Sequence, residues 1–148
     1  MRTERKIENN AGLRKAGQAL SYILRADPGR PAEHLAAEAP GLTVNEENTV
    51  VKFVAAIRKA LGKNLLLAEL FGSKARGNFS ADSDIDVLLV VREKTPEIRD
   101  RIFTALFEID PYYEYKISPV IYSEFEYKKN AEMESPFLEN LNAEGIAL

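Results

Sequence analysis

No cysteine and no tryptophan occur in the 148 residues, and His34 is the one histidine. The lack of cysteine removes a disulfide framework, a thiolate zinc site and a cysteine nucleophile, while a lone histidine cannot build a His-rich metal centre. A Ser-His-Asp arrangement would have to rest on His34 alone, and that residue reads better as a surface or half-buried side chain on the helix-like stretch "AEHLAAEA". Long apolar runs are missing too: nothing approaches the roughly 18 consecutive apolar residues of a membrane span. The opening "MRTERKIENN" has no apolar core of the kind an export signal carries, so the expected compartment is the cytoplasm and no membrane partner is expected. Strong charge of one sign is also absent. Twenty Lys and Arg face 23 Asp and Glu, a net charge of -3, so no global field draws this chain to nucleic acid, and any anion must be bound locally.

What is present is a chain that is 45% hydrophobic, enough for one globular domain and an extension. Residues 11–26, "AGLRKAGQALSYILRA", place Leu13, Ala16, Leu20, Ile23 and Leu24 at helical spacing, and "DPGRP" interrupts them. A short second helix is expected around "AEHLAAEA". "PGLTVNEEN" then breaks the chain, and "TVVKFVAAIRKALG" begins a stronger helix that stops at Gly62. From Leu65 the pattern changes. "LLLAELF" and "DIDVLLVV" have the length and apolar content of buried strands. "TPEIRDRIFTALFEI" is a helix with Thr95 as N-cap, Pro96 at its first position and Ile98, Ile102, Leu106 and Ile109 on one face. "YEYKISPVIYS" reads as a further strand, with Pro119 marking an edge or bulge, and "SPFLENLNAEG" as a closing helix ended by Gly145. The expected organisation is an N-terminal helical extension over residues 1–47 and a mixed α/β (α+β) domain over 48–148.

The chemistry concentrates in "LFGSKARGNFSADSDIDVLLVV", residues 70–91. Side chains alternate along a strand, so Asp84 and Asp86 share one face while Ile85, Val87, Leu89 and Val91 pack the other. Paired carboxylates are hard oxygen donors suited to Mg²⁺ when a polyphosphate supplies the remaining oxygens. Gly72 and Ser73 stand between a strand end and a helix start, where free backbone N–H groups favour an anion, and Lys74 and Arg76 follow in the same turn to neutralise phosphate. Separately, a Gly-Ser pair is an ordinary turn and an Asp-x-Asp an ordinary strand end. Together, with ten residues between Ser73 and Asp84, they imply a metal-bound nucleoside triphosphate.

The stretch "LFGSKARGNFSADSDID" resembles the signature of the nucleotidyltransferase superfamily typified by DNA polymerase beta: Gly-Ser, a spacer, then Asp-x-Asp. Its form is similar to that of the minimal nucleotidyltransferases, small prokaryotic proteins many of which are antitoxins paired with HEPN toxins. The resemblance covers about residues 48–148. It implies the polymerase-beta-like fold, a small mixed β-sheet with helices, and Asp84 and Asp86 as Mg²⁺ ligands and catalytic residues. It also implies Gly72 and Ser73 as the grip on the nucleotide phosphates, and transfer of a nucleoside monophosphate, AMP from ATP, to a hydroxyl of a partner protein such as a HEPN-type toxin. The family usually has a third carboxylate on a later strand, and "KISPVIY" offers Ser118 there. Glu114 is four residues away, about 13 Å along an extended strand. That departure leaves a second reading open, an antitoxin that binds nucleotide and neutralises its toxin by contact; a transferase acting on small molecules of the aminoglycoside kind is a further alternative within the same superfamily. A DNA-reading helix-turn-helix in residues 11–61 is disfavoured by Glu46 and Glu47 at the start of its second helix and by seven basic against seven acidic residues over 1–47. Tyr112, Tyr113 and Tyr115, with Tyr122 and Tyr127 beyond, could stack a base or an acceptor, but strand and edge packing is the favoured use, and Lys128 and Lys129 are expected on a solvated helix face.

Overall fold

The computed structural model describes residues 39, 41–78, 80 and 82–148. The helices expected over 11–26 and around His34, and most of the extension over 1–47, lie outside the described residues.

Helix α1, Val44–Leu61, starts five residues before the expected Thr49 because Thr43 caps it: the Thr43 hydroxyl accepts from the Glu46 N–H, and the Glu46 carboxylate accepts from the Thr43 N–H. This reciprocal T-x-x-E box satisfies two N–H groups that the helix geometry leaves without partners. A 3-10 turn over Gly62–Asn64 leads to β1, Leu65–Phe71. A five-residue helix α2, Gly72–Arg76, follows, and then β2, Ile85–Val91. Helix α3, Pro96–Ile109, is capped by Thr95 as expected. Strand β3, Ile117–Ser123, helices α4, Glu124–Glu132, and α5, Pro136–Glu144, and the two-residue β4, Ile146–Ala147, complete the chain.

The strands form one mixed sheet in the order β3-β2-β1-β4. β2 runs antiparallel to β1 and parallel to β3, and β4 pairs antiparallel with the outer side of β1. Strand alternation divides the core between the two faces. Ala68, Leu70, Ile85, Val87, Leu89 and Val91 meet α1 and α3 through Phe53, Ile57 and Ile102, whereas Leu67, Leu88 and Val90 meet α4 and α5 through Tyr127, Leu138 and Leu141. Apart from Asp86 near its start, β2 is apolar on both faces because it lies between two helical layers.

One sequence expectation is corrected. The strand expected over 113–123 begins only at Ile117, because Tyr113 and Lys116 both have φ of 52° and the buried Asp110 carboxylate takes the N–H groups of Glu114 and Tyr115. A carboxylate that captures two successive amides makes a turn there. Glu114 therefore lies in this turn, outside β3. Helix α4 was marked in the sequence only by its lysines, and these lie on its solvated face: Lys128 pairs with Glu124 at 2.7 Å and Lys129 with Glu132 at 3.4 Å. β3 is an edge strand, as Pro119 implied.

Candidate active site

Because β2 and β3 are parallel and β1 is antiparallel to them, the start of β2, the start of β3 and the end of β1 lie along one edge of the sheet. Asp86 is on β2 beside Phe71 of β1 and Ser118 of β3, all on the α4/α5 face. Asp84 stands one residue before β2 and is exposed, while Asp86 is half-buried. The floor next to this edge is aromatic: the Phe137 ring of α5 meets Phe71 edge-on at 5.3 Å and Tyr122 at 5.8 Å.

Gly72 opens α2 with φ of 78°, and a Cβ built there would lie 2.3 Å from Oδ2 of Asp86. Only glycine gives both this conformation and this approach. The Gly-Ser turn and the carboxylate are thus in direct contact, although 13 residues separate Gly72 from Asp86 in the chain. Burial first, and then the neighbouring charge of Asp84, pushes the Asp86 carboxyl above its ordinary range, with Arg76 opposing. Two carboxylates that repel each other at the open end of a strand favour a cation between them. Ser118 is the register partner of Asp86 on β3, so a hydroxyl stands where a third acid would sit, and among the described residues no three Asp, Glu, His or Cys side chains group as a metal cage. The donor set suits a metal that takes its remaining oxygens from a substrate triphosphate.

The two cations expected at the phosphates are placed differently from each other. The Lys74 side chain is 3% exposed, and Nζ lies 3.0 and 3.3 Å from the carboxylate oxygens of Glu46 on α1, so its charge is engaged on the α1 side of α2. Spacing alone put it beside the phosphates, but on the five-residue helix α2 the third and fifth residues, Lys74 and Arg76, point to different sides. Arg76 remains on the surface, with Nη1 3.0 Å from Glu144 and Nε 3.1 Å from Asn78 Oδ1, and its charge reaches Asp86. Sequence reasoning missed Glu46 as a partner of Lys74, and Phe71 and Phe137 as the aromatic floor. The T-x-x-E box at Thr43 was the available signal for Glu46.

Tyr113, for which packing was favoured over stacking on a base or acceptor, is half-exposed in the turn that leads to β3. Its phenol is raised by burial and then by the charges of Asp84, Asp110 and Asp86. Tyr115, Tyr122 and Tyr127 do pack the core.

A mixed sheet with a Gly-Ser helix start against paired strand carboxylates is the architecture of a nucleotidyl-transferring enzyme. The chain belongs to the nucleotidyltransferase domain family, whose model matches residues 51–138, more than half of the sequence. It is similar to two Methanocaldococcus jannaschii proteins whose names designate them, provisionally, protein adenylyltransferases. With MJ0141 it is 41% identical over 54 residues, 36% of this chain and 54% of that protein. With MJ0604 it is 40% identical over 47 residues, 32% of this chain and 47% of that protein. The chain spans about half the length of the curated relatives it matches.

Proposed function

We propose that this nucleotidyltransferase moves AMP from ATP to a hydroxyl of a partner protein, with Mg²⁺ held by Asp84 and Asp86. The observation that carries the reading is the close approach of the Gly72 backbone to Asp86 Oδ2, which supports a phosphate grip at the Gly-Ser turn beside a metal-holding carboxylate. Gly72 and Ser73 offer backbone N–H groups and a hydroxyl to the phosphates, and Arg76, on leaving Glu144, offers a planar fork. Mg²⁺ entering with the triphosphate supplies charge neutralisation at the reacting phosphates. The names of the two relatives support adenylyl transfer to protein, and the family resemblance points to a HEPN-type toxin as the partner, in the cytoplasm where ATP is available.

Calorimetric titration with ATP tests the site directly. Binding should require Mg²⁺ and should weaken in Asp86→Asn, and a wild-type chain that binds no ATP at millimolar concentration would falsify the reading.

Ser118 at the register of Asp86 favours a second reading, in which the chain binds nucleotide and neutralises its partner by contact with little transfer. Co-purification with the partner without incorporation of AMP is its signature. Labelling of the partner that is abolished by Asp84→Ala rules it out.

A further inference from the structure

The open edge of the sheet has two sides. The Gly-Ser turn rises from β1 on one side of Asp84 and Asp86, and the turn over residues 110–116 feeds β3 on the other. The second turn is fastened beside the carboxylates: the Ile85 N–H donates to the Lys116 carbonyl at 3.0 Å, and Lys116 Nζ lies 3.7 Å from Asp82. It is also rigid from within. The buried Asp110 carboxylate accepts from the N–H groups of Glu114 at 2.7 Å and Tyr115 at 2.9 Å, and the Asp110 carbonyl accepts from the Tyr113 N–H at 3.1 Å.

These bonds hold Tyr113 at φ of 52°, a conformation that a bulky aromatic residue rarely adopts and that persists only where its surroundings impose it. Tyr113 is 51% exposed, and the charges of Asp84, Asp110 and Asp86 reach its phenol. Its neighbour Tyr112 is 90% exposed.

We infer that Tyr113 is a modification site of this enzyme: a hydroxyl acceptor on its own chain, held across the carboxylate pair from the phosphate-binding turn. The inference rests on the proposed adenylyl transfer. In the step, Tyr113 Oη bonds to the α-phosphorus of ATP, the bond from that phosphorus to the oxygen bridging the β-phosphate breaks, pyrophosphate leaves with the electron pair, and the phenolic proton passes to water. The product is a tyrosyl-AMP phosphodiester that occupies the acceptor side of the cleft, so a chain that has modified itself is closed to an external acceptor.

The test incubates the full chain with Mg²⁺ and ATP labelled in the α-phosphate, then maps the label by peptide mass spectrometry, with ATP binding followed by calorimetry in parallel. The expected result is one AMP per chain on Tyr113, accumulating at a rate per molecule independent of protein concentration. Tyr113→Phe, folded by circular dichroism and still binding ATP, loses the label, and Tyr112→Phe keeps it. Label on any other residue overturns the inference, as does an unlabelled wild type that binds ATP. Loss of ATP binding in Tyr113→Phe also overturns it, making the ring a nucleotide contact. A wild type that binds no ATP removes the proposed function itself and this site with it.

Discussion

Gly72 is the residue at which backbone and chemistry constrain each other most closely. In Gly72→Ala, φ of 78° is strained for any side chain, and the new Cβ must displace the Asp86 carboxylate 2.3 Å away. A stability loss of about 1–2 kcal/mol is expected by urea unfolding, together with a larger loss of Mg²⁺-dependent ATP binding. Asp86→Asn separates fold from function in the opposite sense. The native carboxyl has a raised pKa, so between its unfolded and folded values the native state holds more protons, and stability falls as pH rises through that window. The Asn variant should therefore melt higher than wild type near pH 7, with the difference vanishing under acid where both states are protonated, and Mg²⁺ with ATP should raise the melting temperature of wild type only. Ser118→Asp puts a carboxylate beside Asp86 and is expected to raise transfer by about tenfold or more, measured with labelled ATP. Glu114→Gln, in the turn outside β3, should change transfer little.

At the scale of elements, α2 is too short to hold its own position. Lys74 bolts it to α1 through Glu46, and the Gly41 N–H donates to the Lys74 carbonyl at 3.1 Å, where a Cβ on Gly41 would meet that oxygen at 2.1 Å. Lys74→Met leaves Glu46 without its ammonium. It should cost about 2 kcal/mol in denaturant unfolding, less than the roughly 3–5 of a fully buried pair because Glu46 stays 18% exposed. Adding Glu46→Gln, which retains an oxygen for the cap, should recover part of that loss. The strands over 65–71 and 85–91 were legible as short continuous apolar runs, and the helix over 96–109 by its periodic apolar face and its Thr-Pro start. The turn at 110–116 was not, since its apolar Tyr residues imitate a strand and only the Asp110 carboxylate, acting on amides four and five residues away, bends the chain. Asp84, Asp86, Gly72 and Ser73 could be picked out because one short segment carries them all. Tyr113 could not, because its place at the edge comes from the parallel pairing of β3 with β2.

For the whole molecule, the segment before α1 matters to the domain that follows. Ala39 is buried in the main core and Leu42 packs against it, so a chain begun at Glu47 loses these contacts, the Thr43 cap and the Lys74 partner together. A drop of roughly 2–3 kcal/mol, on the order of 10 °C in Tm, is expected by calorimetry. The central strand offers a different measure of the same architecture. β2 is hydrogen-bonded on both sides, and its residues Val87 to Val91 are fully buried, yet Asp84 stands just outside it. In deuterated water the amides of Val87–Val91 should exchange only through global opening, while those of residues 82–84 should exchange through local fraying, orders of magnitude faster. The two carboxylates would then lie on opposite sides of a step in exchange lifetime, with Asp86 in the slow strand and Asp84 in the fast turn. A triphosphate bridging them would register as slowed exchange in that turn alone.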